Sequence, residues 1–209
     1  MSAIFANSGL GLGQIAMVWS IAVTIAIATT GPISGAHLNP AITLALTCFR
    51  GFDSKKVPGY MLAQTMGAML ASMVNLRLYA SSIRAYEMAN SLTDRMGLGS
   101  IAVVKVFGEY FAHPVSTQTA LLVEIFGTAI LSFVVFSLTK NEDSNNKILI
   151  PPLIGATVGG LICFLAPLTQ AGFNPARDFG PRIVAWLVGG WSRKVSFQGF
   201  WVYILGPIV

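Results

Sequence analysis

Two copies of the tripeptide Asn-Pro-Ala are the residues in this sequence whose types and spacing could do chemistry. Asparagine is a favoured N-cap of an α-helix, and proline is favoured at the first helical position because its missing N–H costs nothing there. Each tripeptide therefore predicts a helix start, with an asparagine amide left to offer N–H donors to a passing water or hydroxyl. The copies are Asn39-Pro40-Ala41, within SGAHLNPAIT, and Asn174-Pro175-Ala176, within QAGFNPARDFGPR.

The four residues before each tripeptide are predicted to be non-helical, and short apolar stretches follow at 39–49 and 174–188. Non-helical backbone at membrane depth is tolerated only where it lines a cavity. Its carbonyl groups would then form a ladder of acceptors, which suits an uncharged, hydrogen-bonding solute that moves in single file. The residues expected to present these carbonyls are Gly35, Ala36, His37, Leu38, Gln170 and Gly172.

The elements that must position these groups are long apolar runs. The chain has 209 residues, of which 54% are hydrophobic and 10% charged, against about 25% charged in a soluble domain. The sequence therefore predicts an all-α membrane protein, and its scattered basic residues form no patch for nucleic acid. Four runs approach the length of about 20 residues that a bilayer crossing needs: 15–33, 57–78, 119–138 and 148–168.

Superposing the two asparagines, which are 135 residues apart, reveals an internal repeat. The short apolar stretches then coincide, and so do the long runs before them. A complete half holds three spans, and an odd number turns consecutive halves over in the membrane, as in an inverted repeat. The predicted units are a first half-repeat at 1–80, a connecting loop at 81–118 and a second half-repeat at 119–209.

In such a repeat the two short helices are re-entrant, and their N-termini meet near the middle of the membrane. Each N-terminus carries a partial charge of about +0.5. The pair is expected to form a positive barrier that disfavours cations and protons in a narrow passage.

The repeat predicts two helices that this chain does not supply in full. The first helix of the first half is missing, and the last helix of the second half is cut to the apolar stretch 200–209. A pore open to lipid would expose the carbonyl ladder to hydrocarbon, at several kcal/mol for each unsatisfied group. We therefore expect the chain to be a fragment of a longer channel.

The segments SGAHLNPAITLAL and GFNPARDFGPRIVAWL resemble the two signature loops of the aquaporin and aquaglyceroporin family, the major intrinsic proteins. The second segment is especially similar to that of bacterial glycerol facilitators, through Asp178 after Arg177 and through Arg182. The resemblance covers nearly the whole chain. It implies six spans and two half-helices, a homotetramer with one pore per subunit, and a multi-pass protein of the plasma membrane or an organelle membrane.

The resemblance also implies a selectivity filter of four residues. Arg177 would offer fixed donors to solute hydroxyls and repel cations, unless it is a structural arginine. Trp19 would cradle an alkyl backbone, unless it packs elsewhere. Glycerol facilitators have Gly and Phe at the other two positions, so the set is more similar to that of plant nodulin-like channels. The four residues are Trp19, Ile162, Ala171 and Arg177.

Two acidic residues are predicted to have structural roles. Glu124 lies inside an apolar run and needs a partner, and the resemblance implies that its carboxylate holds a pore loop. Asp178 is expected to hold the end of the second loop rather than to face the pore. The sequence has no zinc motif and no phosphate loop, so neither an enzyme nor a cofactor or metal is expected.

These patterns favour a passive channel for glycerol and other small uncharged solutes, with water, that excludes ions and protons. A water-selective channel is the second hypothesis, but Ile162 stands where such channels usually place a histidine, and Asp178 also counts against it. The third is a non-conducting structural membrane protein. The missing helices favour it, whereas Arg177 and both Asn-Pro-Ala motifs oppose it.

Overall fold

The structure, a computed structural model, describes residues 9–111, 113–140 and 144–209. Residues 1–8, 112 and 141–143, which fall within the predicted half-repeats and connecting loop, lie outside the described residues. Every regular element in the described part is helical, as predicted. The α-helices are α1 (Leu12–Ser34), α2 (Pro40–Arg50), α3 (Val57–Leu78), α4 (Ala80–Ala89), α5 (Ile101–Val104), α6 (Thr117–Leu138), α7 (Ile150–Thr169), α8 (Pro175–Leu187), α9 (Arg193–Ser196) and α10 (Val202–Ile208), with 3₁₀ turns at Ser54–Lys56, Leu98–Ser100 and Ser144–Leu149.

All four predicted long helices are present as α1, α3, α6 and α7. Within the described ranges, three helical runs are both long and apolar enough to cross a bilayer: Leu12–Ser34, Thr117–Leu138 and Lys147–Thr169. The helix α3 has 22 residues, which corresponds to about 33 Å at 1.5 Å per residue. Its length therefore matches a span, although it is less apolar than the other three.

The two short helices begin where the sequence predicts. The Asn39 side chain accepts a hydrogen bond from the backbone N–H of Ala41, and proline occupies the first turn of α2. The Asn174 side chain accepts from the N–H groups of Ala176 and Arg177 at the start of α8. Both asparagines have extended backbone, as an N-cap requires. The half-helices are thus fixed by local capping.

Close helix contacts form the frame around the half-helices. The helix α1 packs along α7, and a side chain at Gly155 would overlap Thr24 and the carbonyl of Ser20. The helix α3 packs against α8, and α6 packs against both α7 and α10. One apolar cluster runs between these elements and includes Ile42, Leu131, Ile154, Leu165 and Phe173.

The expectation of a continuous loop between the two halves is wrong at residues 80–89 and 101–104, which are helical. The mixed charge of this segment conceals apolar residues that pack together, because Ile83, Val104 and Phe107 are buried against Trp191 beyond the end of α8. Arg95 adds a second attachment, since it pairs with Glu87 and donates to the carbonyl of Gly189. The connecting segment is therefore docked on the second half-helix.

Candidate functional site

A cavity of about 830 Å³ lies between α1, α7 and the N-termini of both half-helices. It extends from Trp19 and Arg177 at one end to Thr139 and Lys147 at the other. The lining runs along α1 from Trp19 to Pro32 and along α7 from Ile150 to Ile162, so the cavity follows the long axis of these packed helices. The sequence-predicted residues that line it are Trp19, Gly35, Ala36, His37, Leu38, Asn39, Ile162, Ala171, Gly172, Asn174 and Arg177.

The remaining predicted residues stand behind the cavity wall. Pro40, Ala41, Pro175 and Ala176 are buried in the first turns of the half-helices. Gln170 is not among the lining residues; it caps α7, and its side-chain oxygen accepts from the N–H of Tyr110 at 2.8 Å. Its side chain thus contacts the connecting segment, and the role of its main-chain carbonyl as a pore acceptor stays a prediction.

The two asparagines cross-link the motifs. Asn39 donates from Nδ2 to the carbonyl of Phe173 at 2.7 Å. Asn174 donates from Nδ2 to the carbonyl of Leu38 at 2.8 Å. The Leu38 carbonyl, predicted as a solute acceptor, therefore already uses one of its two lone pairs. Each amide keeps a second N–H, so both asparagines retain one donor beyond this cross-link.

The loops before the motifs share a costly backbone conformation. Ala36 and Leu38 have φ values of 48° and 54°, and Ala171 and Phe173 have φ values of 59° and 52°. These positions correspond under the 135-residue offset. Positive φ is disfavoured for residues with a side chain, and such strain persists only where surrounding contacts enforce it. The repeat therefore extends to the detailed backbone that faces the cavity.

Glu124 supplies contacts that enforce this backbone in the second loop. Its side chain is fully buried on α6, where Oε1 accepts from the N–H of Gly172 at 3.1 Å and Oε2 accepts from the N–H of Phe173 at 2.7 Å. With these N–H groups turned towards Glu124, the loop presents its other face to the cavity. The scaffold role of this carboxylate stays a prediction, which these two contacts make specific to Gly172 and Phe173.

The four residues predicted to form the filter all line the cavity. The guanidinium carbon of Arg177 lies 4.5 Å from the ring centroid of Trp19, which is within the range of a cation–π contact. Ile162 and Ala171 are 4% and 3% exposed and belong to the apolar cluster against which Trp19 packs. The cavity wall here thus combines one cationic donor with an aromatic face and aliphatic side chains.

Asp178 lies beside the filter without lining the cavity. Its side chain is completely buried; Oδ2 accepts from Nε of Arg182 at 2.8 Å, and Oδ1 accepts from the N–H of Glu109 at 2.6 Å. Arg182 in turn donates to the carbonyls of Ser196 and Glu109. Asp178 therefore joins α8 to the connecting segment, in agreement with its expected structural role.

Sequence reasoning missed two residues of this site. The sequence indicates Phe173 only as one of the non-helical residues before the second motif. In the structure its carbonyl accepts from Asn39, and its N–H donates to Glu124. Glu109 was not singled out, yet its carboxylate forms an ion pair with Arg177. The available signal for Glu109 was a lone acidic residue inside the apolar string VFGEYF.

The chain was compared with known proteins. The sequence model of the family described as "Major intrinsic protein" matches residues 2–209. The glycerol uptake facilitator protein of Pseudomonas aeruginosa is 38% identical, over 98% of this chain and 75% of that protein. The propanediol uptake facilitator of Citrobacter freundii is also 38% identical, over 98% and 77%.

The fold has a solved counterpart as well. The X-ray structure of the aquaglyceroporin from Plasmodium falciparum matches with a TM-score of 0.74 and 26% identity, over all of this chain and 82% of that one. Two half-helices joined at their asparagines, an arginine that lines the cavity and both sequence comparisons lead to one assignment. The chain belongs to the major intrinsic protein family, a family of membrane channels.

Proposed function

We propose that this protein is a passive transmembrane channel for glycerol and similar small uncharged solutes, with water, and that it excludes ions and protons. The observation that carries the proposal is the elongated cavity with Arg177 over Trp19 at one end and the paired asparagines farther along. Relatives that carry the names glycerol and propanediol uptake facilitator support the same solute class.

The cavity wall suits a polyol because two kinds of residue line it. Some are aliphatic residues of the long helices, and others belong to the loops before the motifs. A polyol would place its carbon chain against the aliphatic side chains and its hydroxyls against the loops, so that fewer hydrogen bonds are lost on leaving water. The aliphatic residues include Val23, Ile27, Leu131, Ile154 and Val158.

Ion exclusion is assigned to the two half-helix N-termini, which meet at the asparagines. The charge of Arg177 is balanced by its ion pair with Glu109. Helix N-termini carry partial positive charge, which opposes a cation that has shed its water. Transport rather than catalysis is the proposed activity, because the chain belongs to a family of membrane channels.

A water-selective channel is the weaker candidate. Ile162 is buried in the apolar cluster at the filter and offers no hydrogen bond to a water file. An apolar, uncharged side chain at this position favours a solute with an alkyl chain, such as a polyol, over water.

The proposed setting is a lipid bilayer, with the plasma membrane as the expected location. The length of α3 supports a fourth crossing beside α1, α6 and α7. Exposed apolar side chains on α1 and α7, among them Val18, Ile21, Ile25 and Phe164, are available for lipid or for neighbouring subunits of the expected homotetramer.

The test is osmotic light scattering of proteoliposomes that contain the full-length gene product. An inward glycerol gradient should cause shrinkage and then re-swelling much faster than in protein-free vesicles, and water flux should also rise. A proton-sensitive dye inside the vesicles should report no added leak. Water flux without glycerol flux would establish the water-selective alternative. The absence of both water flux and glycerol flux would exclude a channel.

A further inference from the structure

Glu109 is a buried carboxylate placed directly on the filter arginine. Glu109 is only 7% exposed, and its Oε1 atom forms an ion pair with Nη1 of Arg177. The same guanidinium lies over the Trp19 ring. Arg177 is therefore contacted both by an aromatic ring on α1 and by a carboxylate that the connecting segment contributes.

The position of Glu109 is fixed by its own main chain. Its N–H donates to Asp178, and its carbonyl accepts from Arg182. The next residue, Tyr110, donates its N–H to the side chain of Gln170 and its hydroxyl to the carbonyl of Val195 at 2.9 Å. The carboxylate is consequently delivered to the filter by a rigid support rather than by a free loop.

The surroundings of Glu109 place its ionisation within the physiological range. Burial raises the pKa of its carboxyl to about 7, with Asp178 and Glu124 adding to the rise, while Arg177 and Arg182 oppose it. At lower pH the carboxyl is neutral and the ion pair is lost. The titratable or charged groups that face it are Arg177, Asp178 and Arg182 on α8, Glu124 on α6, Tyr110 on its own segment and Tyr203 on α10.

We propose that Glu109 is a positioning residue for the filter, and that its ionised form holds Arg177 in the conducting position. The proposal rests on the solute channel proposed above. When Glu109 is protonated, the guanidinium loses its counter-charge, and its donors turn to solute and water in the passage. The filter then carries a net positive charge and binds hydroxyls more tightly, so solute flux falls.

The direction of the pH effect follows from this geometry. The conducting arrangement is fully present above the pKa of Glu109 and is lost as the pH falls through it. His37, a second titratable side chain, also lines the cavity. It packs against Phe52 and Tyr60, and it stays in place when Glu109 is changed.

The experiment measures glycerol flux into proteoliposomes across a pH series. In the wild type, flux should fall by about threefold or more between about pH 8.5 and pH 5.5, since this interval takes one carboxyl from charged to neutral. The variant Glu109→Gln should stay low and flat across the series. Glu109→Asp, which keeps the carboxylate, should retain a pH dependence.

Glu87→Gln is the matched control. Glu87 is also a buried carboxylate in an ion pair with an arginine of the connecting segment, but it pairs with Arg95 rather than with the filter. This variant should keep the wild-type pH profile. If it loses that profile, the effect arises from general loosening of the segment and the proposal is overturned.

Several other outcomes also overturn the proposal. If the glycerol flux of the wild type is independent of pH, or rises at low pH, the wild-type measurement alone refutes the proposal. A pH dependence that survives in Glu109→Gln assigns the effect to another group, such as His37. The absence of glycerol flux at every pH would instead refute the channel function, so the two failures are distinguishable.

Discussion

Asn39 and Asn174 are bound reciprocally across the centre of the molecule: each caps its own half-helix, and each donates to the carbonyl before the other motif. Capping uses the side-chain oxygen and the cross-link uses the nitrogen, so one side chain performs both tasks. The two halves of the repeat are therefore coupled at the residues that also face the cavity.

This coupling predicts a non-additive double-mutant cycle. Asn39→Ala and Asn174→Ala should each lower the free energy of unfolding by about 2 kcal/mol. Loss of the N-cap contributes about 1 kcal/mol, and loss of the cross-linking hydrogen bond contributes about 1 kcal/mol. The double variant should differ from the sum by more than about 0.5 kcal/mol. Unfolding in mixed detergent–dodecyl sulfate micelles measures all four proteins. Strict additivity would show that the two cross-links act independently.

Glu124→Gln should destabilise the second loop. The buried carboxylate accepts from two N–H groups, whereas a glutamine would place an NH₂ group against one of them. We expect a loss of about 3 kcal/mol in the free energy of unfolding and a lower glycerol flux. Gln118→Ala, an exposed change on the same helix, should stay within about 0.5 kcal/mol of the wild type. Equal effects of the two variants would refute the scaffold role.

Gly127→Ala and Gly67→Ala should change stability in opposite directions. A methyl group at Gly127 would overlap the ring of Phe173, whereas at Gly67 it meets nothing within 4 Å. Alanine in a helix is favoured over glycine by about 0.5–1 kcal/mol, but overpacking costs about 1–3 kcal/mol. Gly67→Ala should therefore stabilise the protein and Gly127→Ala destabilise it. Thermal unfolding in detergent gives the signs directly, and a stabilising Gly127→Ala would contradict the close approach.

Trp19→Ala should widen the filter and relax its selection by size. The ring lies over Arg177 and packs against the apolar cluster, so its removal opens space beside the guanidinium. The ratio of erythritol to glycerol flux should rise several-fold, because the four-carbon polyol gains room. Trp186→Ala, which removes an exposed tryptophan outside the cavity, should leave the ratio unchanged. An unchanged ratio in Trp19→Ala would remove Trp19 from the filter.

The helices and the motif ends could be predicted because their signals are local. Asn39-Pro40 and Asn174-Pro175 specify helix starts within one turn of chain, and the apolar runs specify the long helices within two or three residues of their observed ends. The 135-residue offset then predicts which residues of the two loops are equivalent, and this prediction requires no knowledge of helix packing. Glu124 was found because a single carboxylate in an apolar helix requires a partner.

Contacts between distant segments could not be predicted. Glu109 and Asp178 are 69 residues apart, and no repeat or period links them. The connecting segment has mixed charge, which conceals the spacing of Ile83, Val104 and Phe107 that packs it against Trp191. Which carboxylate meets Arg177 depends on how that segment docks, and docking follows from tertiary packing rather than from any local preference.

The matched loops also have a consequence for how such channels diversify. Gly35 and Gln170 occupy equivalent places with φ values of 74° and 64°, and Leu38 and Phe173 do so with 54° and 52°. One chain thus holds the same main-chain shape with unlike side chains. Substitution in these loops can therefore change a side chain while the peptide groups beside the cavity keep their arrangement. The identity of the side chain and the shape of the main chain are, to that extent, independent of each other.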